Sequence, residues 1–142
     1  MVRIILGVIA GFVAWSIVWL GTDQLLINSM GWYAQHQMDF QSAVINKTAF
    51  EPMTSVLVMN IIRSVITSLI GGYIAALVAG EYQRSTFWLG LVLLLVGVMV
   101  EAFAWNYLPL WYHLVFLALL IPMTVIGGKL RRPTAVVVEQ AA

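Results

Sequence analysis

The chain has 142 residues, 62% hydrophobic and 9% charged, with a formal net charge of +1 and a mean hydropathy of +0.96. Soluble domains are roughly 45–50% apolar and about 25% charged, and a chain this short can accommodate the excess only by surrounding it with lipid. No basic run is interleaved with aromatics, which excludes nucleic acid as a partner, and the lack of cysteine excludes disulfides, thiolate metal sites and cysteine nucleophiles.

Four segments reach the roughly 20 mostly apolar residues that a spanning helix needs. The first runs from Ile4 to Ile27. It is too long for the apolar region of a signal peptide and no small-x-small cleavage site follows, so it reads as a retained helix. The next stretch, GWYAQHQMDFQSAVINKTAFEP, carries Tyr33, Phe40 and Val44 at near-helical spacing among polar residues. That pattern predicts a short helix on the outer membrane surface, with Trp32 and Tyr33 as interfacial anchors; an irregular loop with scattered aromatics is the alternative. The second span is Ser55 to Ala79, followed by the polar turn GEYQR, and the third is Thr86 to Trp105. After the turn NYLP, the fourth runs from Pro109 to Gly128. Pro109 suits the first turn of that helix, and Pro122 is expected to kink its middle.

The fold class expected is therefore all-α: an integral membrane bundle of four transmembrane helices. Residues 1–132 form one domain and residues 133–142 a short cytoplasmic tail. Threading four spans puts Arg3, Arg84, Lys129, Arg131 and Arg132 on one side and Lys47 on the other. The positive-inside rule then makes both termini cytoplasmic and the long polar segment external.

Small residues write the packing. Ser64, Ser68, Gly72, Ala76 and Gly80 recur every four residues along the second span, and Gly7 and Gly11 lie in the cytoplasmic half of the first. Such residues let membrane helices approach closely, so a tight contact between spans one and two is expected. Gly90 and Gly97 repeat the signal more weakly in span three.

Ionisable groups within spans are costly and are functional candidates by default. Asp23, Arg63 and Glu101 qualify. At about 1.5 Å per residue, Asp23 and Glu101 lie roughly 7–9 Å and Arg63 about 13 Å below the outer helix ends. Helical side chains lean toward their own N-terminus, which brings all three heads to one layer in the outer half of the membrane. The simplest pairing is Arg63 with Glu101, with Asp23 as a second or alternative partner. Such a layer either fixes helix register or binds a polar group or passes protons. The apolar inner halves of spans one, three and four argue against a continuous ion path through one copy.

His113 sits in LPLWYHLVFLALLIP, where a loop-like start gives way to an apolar run. Its depth, about 6 Å from the rise per residue, matches that of Glu101. Its outward lean favours a neutral imidazole hydrogen-bonded near the interface, between Trp111 and Tyr112. An axial ligand to a pigment or haem supplied by a partner, or a proton relay to Glu101, is the sharper alternative. His36 and His113 otherwise stand alone. No nucleophile elbow, HExxH or phosphate loop is present, so the chain reads as no enzyme, without metal or cofactor. The tryptophans read as interfacial belts, with Trp32, Trp105 and Trp111 outside and Trp88 inside.

The fourth-span pattern PLWYHLVFLALLIPMTVIGGKL, following a third span of plain leucine and valine, resembles a group of small four-helix bacterial inner-membrane proteins; GVIAGFVAWSIVW fits them loosely. The resemblance implies a bacterial inner-membrane origin and an intact four-helix unit, and brings no activity or site residues with it. Packing stripes without a catalytic set suggest an accessory or scaffold subunit of a larger membrane complex. The partners expected are the lipid bilayer and either another membrane protein or further copies of the chain. The alternative is a small transporter or binder of a lipid-like or weakly charged ligand, using Asp23, Arg63 and Glu101.

Overall fold

The computed structural model describes residues 1–131; Arg132 and the tail 133–142 lie outside the described residues. Five helices follow one another: α1 (Val2–Ser29), α2 (Gly31–Asn46), α3 (Thr54–Ala79), α4 (Gln83–Ala104) and α5 (Leu110–Lys129). Of these, α1, α3, α4 and α5 are long and apolar enough to cross a membrane. The chain is a multi-pass membrane protein.

Local chemistry explains where the helices stop. Met30 is extended, with φ −129 and ψ 100, so α1 and α2 meet at a one-residue corner. Gly80 ends α3 at φ +78, a conformation that glycine adopts without steric cost. In the turn that follows, the Glu81 carboxylate accepts hydrogen bonds from the backbone N–H of Arg84 (2.9 Å) and Ser85 (2.7 Å). These are donors that the first turn of α4 cannot pair internally. Burial alone would raise the Glu81 pKa, but the hydrogen bonds from Arg84 and Ser85 together with the Arg84 charge outweigh it and hold the carboxyl below its usual range. Helix α5 starts just after Pro109 and stays helical through Pro122.

Helix α3 is central. It packs most extensively on α1 and α5, while α4 closes the ring between α5 and α1. The seams are built on glycine. A Cβ on Gly7 would lie 2.6 Å from Ala75 O, and one on Gly11 would lie 2.7 Å from Gly71 O. Between α3 and α5 the fit is closer still: a Cβ on Gly72 would lie 1.9 Å from Thr124 O, and one on Gly127 would lie 2.1 Å from Leu69 O. Gly90 and Gly97 of α4 receive Ile121 and the leucines Leu117 and Leu120 of α5. Without a hydrophobic driving force between helices in lipid, this close backbone approach supplies the dispersion energy.

The predicted small-residue stripe does not serve one neighbour. Ser68 meets α1, accepting a hydrogen bond from Trp15 Nε1 at 3.3 Å. Gly72 and Ala76 face α5 instead, and the residues facing Gly7 and Gly11 are Gly71, Ala75 and Ala79. Ser64 is buried, and its hydroxyl has no hydrogen-bond partner among the described residues. Gly80 touches no other helix; its role is to end α3. The geometry of the helix explains the correction. Four residues turn about 400°, so an i+4 stripe drifts about 40° per step and leaves its first partner within a few turns.

The polar segment after α1 forms α2, whose Tyr33, His36 and Ala43 are buried. Phe40 meets Phe50 and Tyr107 edge-on, at 5.4 and 6.1 Å. His36 Nε2 accepts the Met53 backbone N–H at 3.2 Å, one of the donors left over at the start of α3. Burial lowers the His36 pKa, against a weaker opposing pull from Asp39. That direction suits an acceptor nitrogen. Helix α2 is thereby clamped onto the bundle by its own side chains.

Candidate functional site: a polar cavity beneath α2

Arg63 gathers three helices. From α1, its Nη2 donates to the Trp19 carbonyl (2.9 Å), Nε to Thr22 Oγ1 (3.2 Å) and Nη1 to Asp23 Oδ1 (3.2 Å). Its Nη1 also donates to Tyr33 Oη of α2 and to Asn60 Oδ1 of its own helix, both at 2.8 Å. The guanidinium lies 4.3 Å from the Trp19 ring centre, and Trp15 stacks on that ring at 5.4 Å. A cation withdrawn from water needs this completeness, because an unpaired one would cost several kcal/mol.

Tyr33 is the residue that sequence reasoning placed elsewhere. Expected as an interfacial anchor, it is 0% exposed. Its hydroxyl accepts from Arg63 and donates to Asp23 Oδ1 at 2.7 Å. Burial, then the bond to Asp23, push its pKa up to about 12 against the opposing field of Arg63, so it stays a neutral donor. The corner at Met30 folds α2 back over the end of α1 and so brings residue 33 to residue 23. The sequence signal was the break between two helical patterns, INSMG.

The pairing differs from the simplest one, Arg63 with Glu101, and follows the alternatives named for Asp23 and His113. Arg63 pairs with Asp23, and Glu101 Oε2 pairs with Nδ1 of His113. Arg63 and Glu101 form no salt bridge with each other among the described residues. His113 does not reach interfacial water: it is 1% exposed and stacks on Trp105, with ring centres 4.8 Å apart and planes 17° apart. Its outward lean is a mild preference. A buried carboxylate left alone is a larger cost, and the short connection from α4 to α5 presents the imidazole at the right depth. Trp105, expected in an interfacial belt, is the ring that backs the imidazole. The outer nitrogen, Nε2, has no partner among the described residues.

Asp23, Arg63 and Glu101 border one space. A cavity of about 220 Å³ is walled by Asp23 and Trp19 of α1, Tyr33, Gln37 and Phe40 of α2, and Asn60 and Arg63 of α3. Glu101 of α4 and Tyr112 and Phe116 of α5 complete it. A side pocket of about 60 Å³ continues toward His36. At about 30 Å³ per water, the main space holds a handful of non-hydrogen atoms. Asp23, Arg63 and Glu101 thus border one chamber together with Asn60, which shares a helix face with Arg63, and with Tyr33, Gln37 and Tyr112, which depth counting left out. Among the described residues no group of three or more His, Cys, Asp or Glu could hold a metal ion. Titratable groups, amide and phenol donors, and aromatic walls suit the chamber to binding a small polar species. No protein-family model, curated protein or solved structure matches this chain.

Proposed function

We propose that this is a non-enzymatic, multi-pass protein of the bacterial inner membrane, with both termini cytoplasmic, that binds a small polar ligand or lipid head group. The observation that carries the reading is the chamber beneath α2, where side chains from all five helices meet around a space large enough for such a group. Buried polar surface is expensive in lipid, and a register lock could be built from Arg63 and Asp23 alone. A second acid facing the same space, Glu101 hydrogen-bonded to His113, goes beyond that requirement. The small-residue seams that suggested an external partner are occupied within the bundle by α1, α3, α4 and α5. The positive-inside bias of Arg3, Arg84, Lys129 and Arg131 would set α2 and the chamber on the external side.

Native mass spectrometry on protein extracted gently from its own membranes tests this. The wild type should appear alone or as a small homo-oligomer carrying a non-protein adduct. Ala104 lines the chamber and is buried, so Ala104→Leu should fill it and lose the adduct. Co-purification with a larger assembly, and no change in Ala104→Leu, would sink the reading. Such a result would favour an accessory subunit instead. The feature supporting that second reading is α1, whose spanning window is only 11% buried, leaving Ile5, Ile9, Val13 and Ile17 free to meet lipid or a partner helix.

A further inference from the structure

The chamber's charge can be read atom by atom. Each nitrogen of the Arg63 guanidinium already has a protein acceptor: Nε has Thr22, Nη1 has Asp23, Tyr33 and Asn60, and Nη2 has the Trp19 carbonyl. Most of the cation's donors are committed to the fold, so it is a weaker attraction for an anionic ligand than a free guanidinium would be. The carboxylates are not used up in the same way. Asp23 engages through Oδ1 and Glu101 through Oε2, so one oxygen of each is free of a hydrogen-bond donor among the described residues. The chamber is bordered by two carboxyl groups, Asp23 and Glu101, and by one guanidinium, Arg63. The same chamber is lined by the aromatic rings of Phe40, Tyr112 and Phe116.

We infer that the chamber is a recognition site for a small organic ammonium group. Carboxylate oxygens supply the counter-charge, and aromatic faces attract a desolvated cation through their quadrupoles. Trp19 contributes little to this, since Trp15 and Arg63 already lie over its ring. Access fits the same chemistry. Within the wall, the Asp23 side chain is 29% exposed, so one carboxylate can be reached from outside the bundle. That position admits either a free amine from water or the amine head group of a phospholipid.

The inference rests on the ligand-binding reading above and is tested separately from it. The full chain is placed in phosphatidylglycerol nanodiscs and titrated by calorimetry with choline, with ethanolamine and, as the anionic comparison, with acetate. Saturable heat is expected for the ammonium compounds and none for acetate. Gln37 lines the chamber and belongs to neither the Arg63–Asp23 nor the Glu101–His113 contact, and Gln37→Lys should weaken ammonium binding by about tenfold or more, since a like charge placed within the chamber opposes the ligand's own. Glu101→Gln should weaken it as well; if that variant does not fold, Gln37→Lys decides alone. Nanodiscs containing phosphatidylethanolamine distinguish the source. Weakened ethanolamine binding there identifies a lipid head group as the occupant, and unchanged binding identifies a free amine. Binding of acetate in place of the ammonium compounds overturns the inference while keeping a ligand site. Ammonium binding undiminished in Gln37→Lys places the cation elsewhere and also overturns it. No saturable binding of any probe overturns both readings.

Discussion

The two ends of the bundle solve one problem by opposite means. Toward Arg3, Arg84 and Lys129, helices meet through Gly7, Gly11, Gly72, Gly127 and Gly128, and the hydroxyls there return to their own backbone. Ser85 donates to Glu81 O and Thr124 to Leu120 O, and Thr86 donates to Tyr82 O. Toward α2, the contacts are side-chain hydrogen bonds around Arg63, Asp23, Tyr33 and Asn60, with the Glu101–His113 pair across the chamber. Lipid removes the hydrophobic drive between helices and leaves dispersion and hydrogen bonding. This chain uses the first at one end and the second at the other. The glycine seams are sensitive to an added atom, and the Arg63 cluster to a lost partner.

The sharpest way to break that division is at Arg63. Arg63→Met should cost about 3 kcal/mol, the lower part of the range for breaking a buried pair, because Asp23 is partly exposed and can be hydrated. Unfolding in mixed detergent micelles measures it. A double-mutant cycle then asks which acid is the partner. Coupling should be strong for Arg63→Met with Asp23→Asn and weak with Glu101→Gln. Equal coupling to both acids would show that the chamber's charges act as one network, and would blur the comparison.

At the other end, Gly72→Ala should cost about 1–3 kcal/mol, toward the upper end, because the added methyl would meet the backbone of Thr124 and not a movable side chain. Gly80→Ala is the control. Gly80 has no neighbour to strike, only its positive φ, so the penalty should be that of a strained helix cap, about 1 kcal/mol. A larger loss at Gly80 than at Gly72 would refute the division of labour along α3.

Tyr33→Phe tests how far the polar end depends on α2. Removing the hydroxyl takes one acceptor from Arg63 and one donor from Asp23, for about 1–2 kcal/mol. The more telling readout is local. Hydrogen exchange in α2 should rise while the α3–α5 seam keeps its protection. Uniform loss of protection would mean that the two ends unfold as one unit.

Spans, and the convergence of charge on one level, were legible because depth follows from counting residues at a fixed rise. Azimuth was harder. Ser64, Ser68, Gly72, Ala76 and Gly80 look like one face in a linear reading, yet the helix rotates them across two neighbours and off the end. Partner choice was harder again: Arg63 met Asp23 and not Glu101, since depth cannot say which of two acids lies around the corner. Tyr33 was misplaced for a related reason. An aromatic near a span end usually anchors at the interface, and only the sharp corner at Met30 turns it inward.

The smallest expected effect concerns the corner where α2 meets α3. His36 accepts the Met53 N–H through Nε2 and must be neutral at that nitrogen to do so. Burial lowers its pKa from the ordinary value near 6.5, and Asp39 pulls the other way less strongly. In the unfolded or opened chain the imidazole regains the ordinary value, so the open form binds the proton first as pH falls. The closed corner is therefore favoured above about pH 6.5 and loses ground below it. Amide exchange at Met53, corrected for its intrinsic pH dependence, should accelerate in that window. His36→Gln supplies an amide oxygen that can accept the same N–H but does not titrate. It should keep the corner closed at pH 8 and flatten the acceleration. An acceleration that survives in His36→Gln would show that a group other than this latch loosens the corner. If Met53 shows no acceleration below pH 6.5 in the wild type, the histidine latch contributes nothing to holding α2 down.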